Sequence, residues 1–281
     1  HVDRTSWKLE VGGLVARPRS FSLSDLAALP RIDGYRTLQC ISIRVTVYDS
    51  LISNGWWAGV RARDLLDAVG VRSSASWVLW RSADGYTESI PLDVARDERT
   101  WLVTEMGGPG RALPDEHGAP LRVLIAGRYG MKQPKWLTGI QLADHDEQGF
   151  WVQRGWDERA IVRTYSRIDQ PVDGDSVPSD RPFEVYGVAS AGDKGISRVE
   201  VSADGGGTWA DAELEPATTE TSDLTWRRWR ASVRAAGAGR IVLTARATDG
   251  HGGVQSDLVD PPLPSGAGGL INVTVTAVPG G

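Results

Sequence analysis

From Phe183 onward the chain repeats one pattern. Phe183–Ala189, Ile196–Val201, Trp226–Val233 and Ile241–Ala247 alternate apolar and polar residues, the period of a half-buried strand. Glycine-rich turns, Asp204-Gly205-Gly206-Gly207 and Asp249-Gly250-His251-Gly252-Gly253, separate them. Several short strands at this spacing predict an all-β sandwich of the immunoglobulin-like type.

The first half reads differently. Trp7–Val11 is a strand entering the Gly12-Gly13 turn, Leu23–Leu29 a short helix opened by Ser22, and Asp64–Val69 a helix stopped by Gly70. Ser76–Ser82 and Thr87–Pro91 are strands around a turn at Ala83–Tyr86; Asp93–Arg96 adds a helical turn and Trp101–Glu105 another strand. Short strands and helices mixed in this way predict an α+β domain. The boundaries read as residues 1–169 and 170–281, with Arg163–Pro171 as the connector.

Composition excludes several classes. A formal charge of −5 and a pI near 5.5, without a basic run, argue against nucleic acid as the partner. No apolar run is long enough to span a bilayer. The chain starts at His1 and is read as a mature or trimmed piece of a longer product. Twelve tryptophans exceed what a core of this size absorbs, so some are expected at a cleft or interface. The four histidines lack the helical pairing of a hydrolytic zinc site, and no Gly-x-Ser-x-Gly elbow occurs. Gly107-Gly108-Pro109-Gly110 and Asp144-His145-Asp146-Glu147 read as turns, and the Asn272-Val273-Thr274 sequon falls within a strand pattern.

Cys40 is the only cysteine, so no internal disulfide forms. A single thiol is either a small buried hydrophobe or a reactive or metal-binding thiolate, and taken alone the first is the commoner case. A second informative stretch runs from Glu116 to Ile140. His117-Gly118-Ala119-Pro120-Leu121-Arg122 offers a core few apolar positions, and Leu121 to Ile125 supplies a buried strand. Gly127 and Gly130 with Lys132 and Lys135 are expected to form a loop of exposed amides and two cations. Such a loop is either an anion site or a solvated basic turn.

Leu38-Gln39-Cys40, Ile52-Ser53-Asn54-Gly55-Trp56-Trp57-Ala58-Gly59-Val60 and Asp64-Leu65-Leu66 resemble the cofactor-bearing segment of the sulfite oxidase family of molybdopterin enzymes. The His-Gly-x-Pro-x-Arg run at His117–Arg122 and the Lys135-Trp136 pair match that family too. So does Val199–Trp209, which is similar to its C-terminal dimerisation domain. The resemblance implies a Mo-molybdopterin cofactor with Cys40 as the metal's thiolate ligand. It implies that Ser82, His117, Arg122, Gln133, Pro134 and Lys135 hold the pterin and its phosphate. Two-electron oxygen-atom transfer on a small substrate follows, with a homodimer as the implied assembly. Without a Cys-x-x-Cys-His motif no haem is expected in this chain, so electrons come from or go to a separate carrier or membrane redox domain.

The family pattern breaks at the substrate side. Animal and plant members follow the cysteine with Ala-Gly-Asn-Arg-Arg; here the run is Ile41-Ser42-Ile43-Arg44-Val45. Arg44 and Trp156 are the candidate substrate contacts, Trp156 standing where those enzymes carry a tyrosine. No arginine appears in Pro264–Gly269. A compact dianion needs several convergent cations, so oxidation of sulfite itself is not expected. The likeness is rather to bacterial, often membrane-associated members related to the periplasmic methionine-sulfoxide reductase, which implies an extracytoplasmic location, free or tethered. The opposing class is a non-catalytic binding or scaffold protein with a degenerate site, for which Ile43 and a missing upstream cofactor segment argue.

Overall fold

The computed structural model describes residues 2–43 and 51–279. The chain divides into two compact units, residues 1–40 with 55–161 and residues 41–54 with 162–281.

The first unit holds β1 (Leu9–Gly13), β2 (Arg19–Phe21), α1 (Leu23–Ala27), β3 (Arg31–Gln39), most of β4 (Ile52–Arg61), α2 (Ala62–Val69), β5 (Trp77–Ser82), β6 (Thr87–Pro91), α3 (Leu92–Arg96), β7 (Trp101–Met106), β8 (Arg122–Leu124) and β9 (Leu137–Ala143). They form two sheets, ordered β2-β1-β9-β5-β6 and β3-β4-β7-β8. Helix α1 begins with a capping box: the Ser22 hydroxyl accepts from the Asp25 N–H, and the Asp25 carboxylate accepts from the Ser22 N–H. Replacing Ser22 by alanine is expected to cost about 1 kcal/mol, measurable as a lowered urea midpoint at unchanged slope. Helix α2 buries Ala62, Leu65, Leu66 and Val69, one stripe of its surface, and ends at Gly70 with φ 70°. Those side chains join Leu9, Val11, Val78, Trp80, Leu102, Val123 and Ile140 in one core, where each large aliphatic contributes about 2 kcal/mol.

Among the described residues the regular elements of the second unit are all strands. Its elements are β10 (Tyr165–Gln170), β11 (Ser176–Pro178), β12 (Phe183–Ser190), β13 (Ile196–Ser202), β14 (Ala210–Asp211), β15 (Glu213–Leu214), β16 (Arg227–Val233), β17 (Gly239–Asp249) and β18 (Asn272–Val278). Two sheets, β10-β12-β16-β15 and β11-β18-β17-β13-β14, face each other across a core of Val185, Ala189, Val199, Trp229, Leu243 and Val275.

One expectation changes here. Arg163–Pro171 is not a connector beyond its first residues: Tyr165–Gln170 is β10, paired antiparallel with β12, and Tyr165, Ser166, Arg167 and Ile168 are all buried. Two polar residues in that run hide the strand's periodicity. Ser166 is buried because its hydroxyl donates to Gln255 Oε1 at 2.7 Å, with the Ala245 carbonyl 3.1 Å away, and Arg167 because it pairs with Asp169 at 2.7 Å.

Candidate functional site

Strand alternation gives the β3-β4-β7-β8 sheet two faces. Val60, Leu102 and Val123 point into the main core. Trp101, Val103 and Leu124 point the other way, where Trp57, Ile32 and Leu38 join them. Arg122 lies two residues before Leu124 and so shares the second face. It is 6% exposed, its guanidinium stands 5.1 Å from the Trp57 ring centroid, and Nη1 donates to the His117 carbonyl at 3.0 Å. Among the described residues no carboxylate pairs with it, and burial pushes its pKa down to about 10. An isolated buried cation is costly.

Strand β3 carries Arg36 in step with Ile32 and Leu38 and ends at Gln39, one residue before Cys40. Cys40 is half-buried and not in a disulfide. Arg36 lies 3.5 Å over the Trp101 ring, its Nε is buried without a partner, and burial followed by the nearby Arg99 lowers its pKa to about 10.

The run 133–137 is bound to β8 and to the turn before it. Val123 donates to the Pro134 carbonyl, Leu137 to Leu121, and Trp136 to Gly118. Gly118 (φ 107°) must be glycine, since a Cβ there would lie 2.6 Å from that of Lys135. Trp136 takes a left-handed φ of 52°, a costly conformation for a bulky residue, and its indole donates to the Asp115 carbonyl at 2.8 Å. Lys135 Nζ donates to the Glu116 carbonyl at 2.9 Å and lies 4.3 Å from the Trp136 ring centroid; burial and then Arg122 lower its pKa. Ser82 enters the same neighbourhood because it pairs with Leu137 across β5 and β9. Its hydroxyl is buried without a hydrogen-bond partner, as is Arg122 Nε.

Ser82, His117, Arg122, Pro134 and Lys135 are therefore one cluster. Gln133 only adjoins it in sequence, its side chain being spent on the loop: Nε2 donates to the Arg128 carbonyl at 2.7 Å and Oε1 accepts from the Ile125 N–H. Gly130 lies against the Gln39 carbonyl, a Cβ there falling 3.6 Å from it, which carries this loop to the residue preceding Cys40. Trp156 is half-buried, and no hydrogen bond or ring contact links it to Arg122 or Lys135; the loop that bears it is tied down where Arg128 Nη1 donates to the Arg159 carbonyl and Tyr129 to Ala160. Arg44 lies outside the described residues.

Lys132 corrects an expectation. It is no exposed cation: its ammonium is buried against Glu88 at 2.6 Å and also donates to the Ser89 carbonyl. The 3₁₀ turn Gly130–Lys132 packs on β6 and aims the side chain inward. Glu88, its counter-ion, carries no signal in the sequence beyond being an acid within an otherwise unremarkable strand.

The donor set suits a group that brings both an anion and hydrogen-bonding atoms. Arg122 offers an uncompensated cation with an unsatisfied Nε, Ser82 an unsatisfied hydroxyl, and Cys40 a soft thiol. Among the described residues no group of three His, Cys, Asp or Glu could hold a metal ion.

Comparison with known proteins identifies the family. Residues 1–151 match the oxidoreductase molybdopterin binding domain, and residues 136–260 the Mo-co oxidoreductase dimerisation domain. An uncharacterized oxidoreductase, YuiH, of Bacillus subtilis is 34% identical over 57% of this chain and 76% of its own length. Rat mitochondrial sulfite oxidase is 29% identical over 93% of this chain, which spans 55% of that enzyme. The fold is that of the sulfane dehydrogenase SoxCD from Paracoccus pantotrophus, with a TM-score of 0.79 at 22% identity over 97% of this chain and 79% of that one. The chain thus belongs to the molybdopterin-dependent oxidoreductases of the sulfite oxidase family.

Proposed function

We propose that this chain carries out two-electron oxygen-atom transfer on a small substrate other than sulfite, with Cys40 as the protein's ligand to molybdenum. The observation that carries the reading is Arg122, a buried guanidinium with an unsatisfied Nε and no carboxylate partner, on the sheet face that β3 continues toward Cys40. The phosphate of the pterin is the counter-ion this cation calls for. Lys135 adds a second positive charge, Ser82 donates through its hydroxyl, and His117 orients Arg122 through its carbonyl. The cofactor, when bound, supplies the redox chemistry; the protein binds, orients and compensates charge.

Two residues support a substrate other than sulfite. Ile43, where relatives carry asparagine, is 1% exposed and packs with Ile52, Tyr165 and Ile271, so it presents no donor to an oxoanion. Trp156 has no hydroxyl to offer. The second unit, β10 included, fits an immunoglobulin-like sandwich that joins two copies of the chain. Electrons then enter or leave through a separate carrier or membrane redox domain, and an extracytoplasmic location accords with the reading. Light scattering tests the dimer and cell fractionation the location.

Chain isolated from a host that makes the cofactor is expected to hold about one molybdenum and one pterin. Arg122→Ala should retain at least tenfold less of both, and sulfite should reduce no artificial acceptor above the Cys40→Ser background. Metal-free protein, with any upstream residues present, would instead support the non-catalytic reading.

A further inference from the structure

In the second unit a cavity of about 290 Å³ opens beside the residues leading into β10 and the loop that joins β17 to β18. Among the described residues its wall carries two cations, Arg163 and Lys194, each ion-paired with a carboxylate beside the cavity, Asp260 and Asp249; Val254 and Ala267 add apolar surface, and Gly268 and Gly269 add backbone. None of these residues is assigned to the cofactor, and the run 267–269 entered the sequence analysis only for lacking an arginine.

The cations are held from behind. Asp249 is 3% exposed and accepts four hydrogen bonds: from Lys194 Nζ at 3.0 Å, from the Thr164 hydroxyl at 3.0 Å, and from the N–H groups of His251 and Gly253 at 3.0 and 2.8 Å. Burial pushes its pKa up, but the bonds from Lys194, Gly253 and Thr164 outweigh that and hold it below the usual carboxylate range. Its charge is thus spent on fixed donors. Lys194 gives it one of three N–H groups and is half-buried, so the others are available to a ligand. Arg163 pairs with Asp260 at 2.6 Å directly above Gly268, where a Cβ would come within 2.8 Å of Nη1. The far wall is equally fixed: Gln255, 6% exposed, accepts from Ser166 and Ala247 and donates to the Gly269 carbonyl at 3.0 Å.

We propose that this cavity binds a small organic anion, its acid group on Lys194 and Arg163 and its short apolar body against Val254 and Ala267. The volume is at the lower end for metabolite pockets, which limits the body to a few carbons. Because both cations are already immobilised by their acids, a ligand loses little to ordering them. A carboxylate and a sulfonate present the same acid chemistry here, and the probes distinguish them.

Calorimetric titration of the full chain with butyrate, butanesulfonate, sulfate and butylammonium tests the site. One or both organic anions should bind saturably and more tightly than sulfate, and butylammonium should not bind. Lys194→Gln, which keeps a donor for Asp249, should weaken binding at least tenfold. Ser256→Trp, a change at an exposed position on the rim, should abolish it without lowering the melting temperature. If Lys194→Gln fails to fold, the Ser256 variant decides alone. No saturable binding of either organic anion up to about 10 mM, sulfate binding as tightly as they do, or binding that survives Ser256→Trp would overturn the proposal. The titration requires no bound cofactor, so its failure is independent of the cofactor reading.

Discussion

Cys40→Ser is expected to leave both units folded and to remove molybdenum and turnover together. The thiol is half-buried at the end of β3 and outside the main cores, so replacing sulfur by oxygen opens no large cavity. The effect on the metal is of another order. A thiolate is a soft ligand and a serine hydroxyl, neutral at pH 7, is a poor one. Losing a partner that merely supports a ligand costs ten- to a hundredfold in metal affinity, so loss of the ligand itself should cost about a hundredfold or more. Elemental analysis beside a thermal melt reads both halves: molybdenum lost at an unchanged melting temperature supports the assignment. Full molybdenum retention in the variant would place the metal elsewhere.

Arg122 and Cys40 come from segments eighty residues apart, and what joins them is the sheet β3-β4-β7-β8. The alternating runs of the second half were legible because one face of each strand is apolar, as were Ser22 before α1 and Gly70 after α2, where a single side chain or its absence sets the backbone. Arg122 and Lys135 were legible through motif likeness. Their shared neighbourhood was not, because it depends on the pairing of 134–137 with β8 and on Gly118 admitting Lys135. Lys132 was misread for a related reason. A lysine three residues from another in a glycine-bearing loop looks solvated, and only the 3₁₀ turn at Gly130–Lys132 turns it under β6 toward an acid forty-four positions earlier. Strand β10 was missed because its buried polar residues are satisfied by distant partners.

That buried pair should be the most stability-sensitive polar contact of the first unit. Glu88 and Lys132 are at most 2% exposed in their side chains and 2.6 Å apart. Glu88 also accepts from the Ser89 N–H at 3.0 Å, and its Oε2 lies 3.3 Å from the Tyr86 hydroxyl, which donates to the Met131 carbonyl at 2.6 Å. Gly149 closes over the carboxylate, a Cβ there falling 2.3 Å from Oε1. Removing one partner strands the other charge, so Lys132→Met or Glu88→Leu should each cost about 3–5 kcal/mol, roughly a 10 °C fall in melting temperature. The double variant removes both charges from an apolar surround and should regain most of that loss. The pH dependence has a definite sign. Burial raises the pKa of Glu88 despite Lys132, so its contribution to stability is fully present below the unfolded value and is lost as pH rises through the folded one. Lys132→Met removes the opposing charge and enlarges that shift. Its deficit relative to the parent should therefore be widest near neutrality and shrink as pH falls toward the ordinary carboxylate range. Melts of the four proteins between pH 4 and 8 measure it; single variants that each lose less than about 1 kcal/mol, or a deficit that grows on acidification, would mean that the pair behaves as a solvated one.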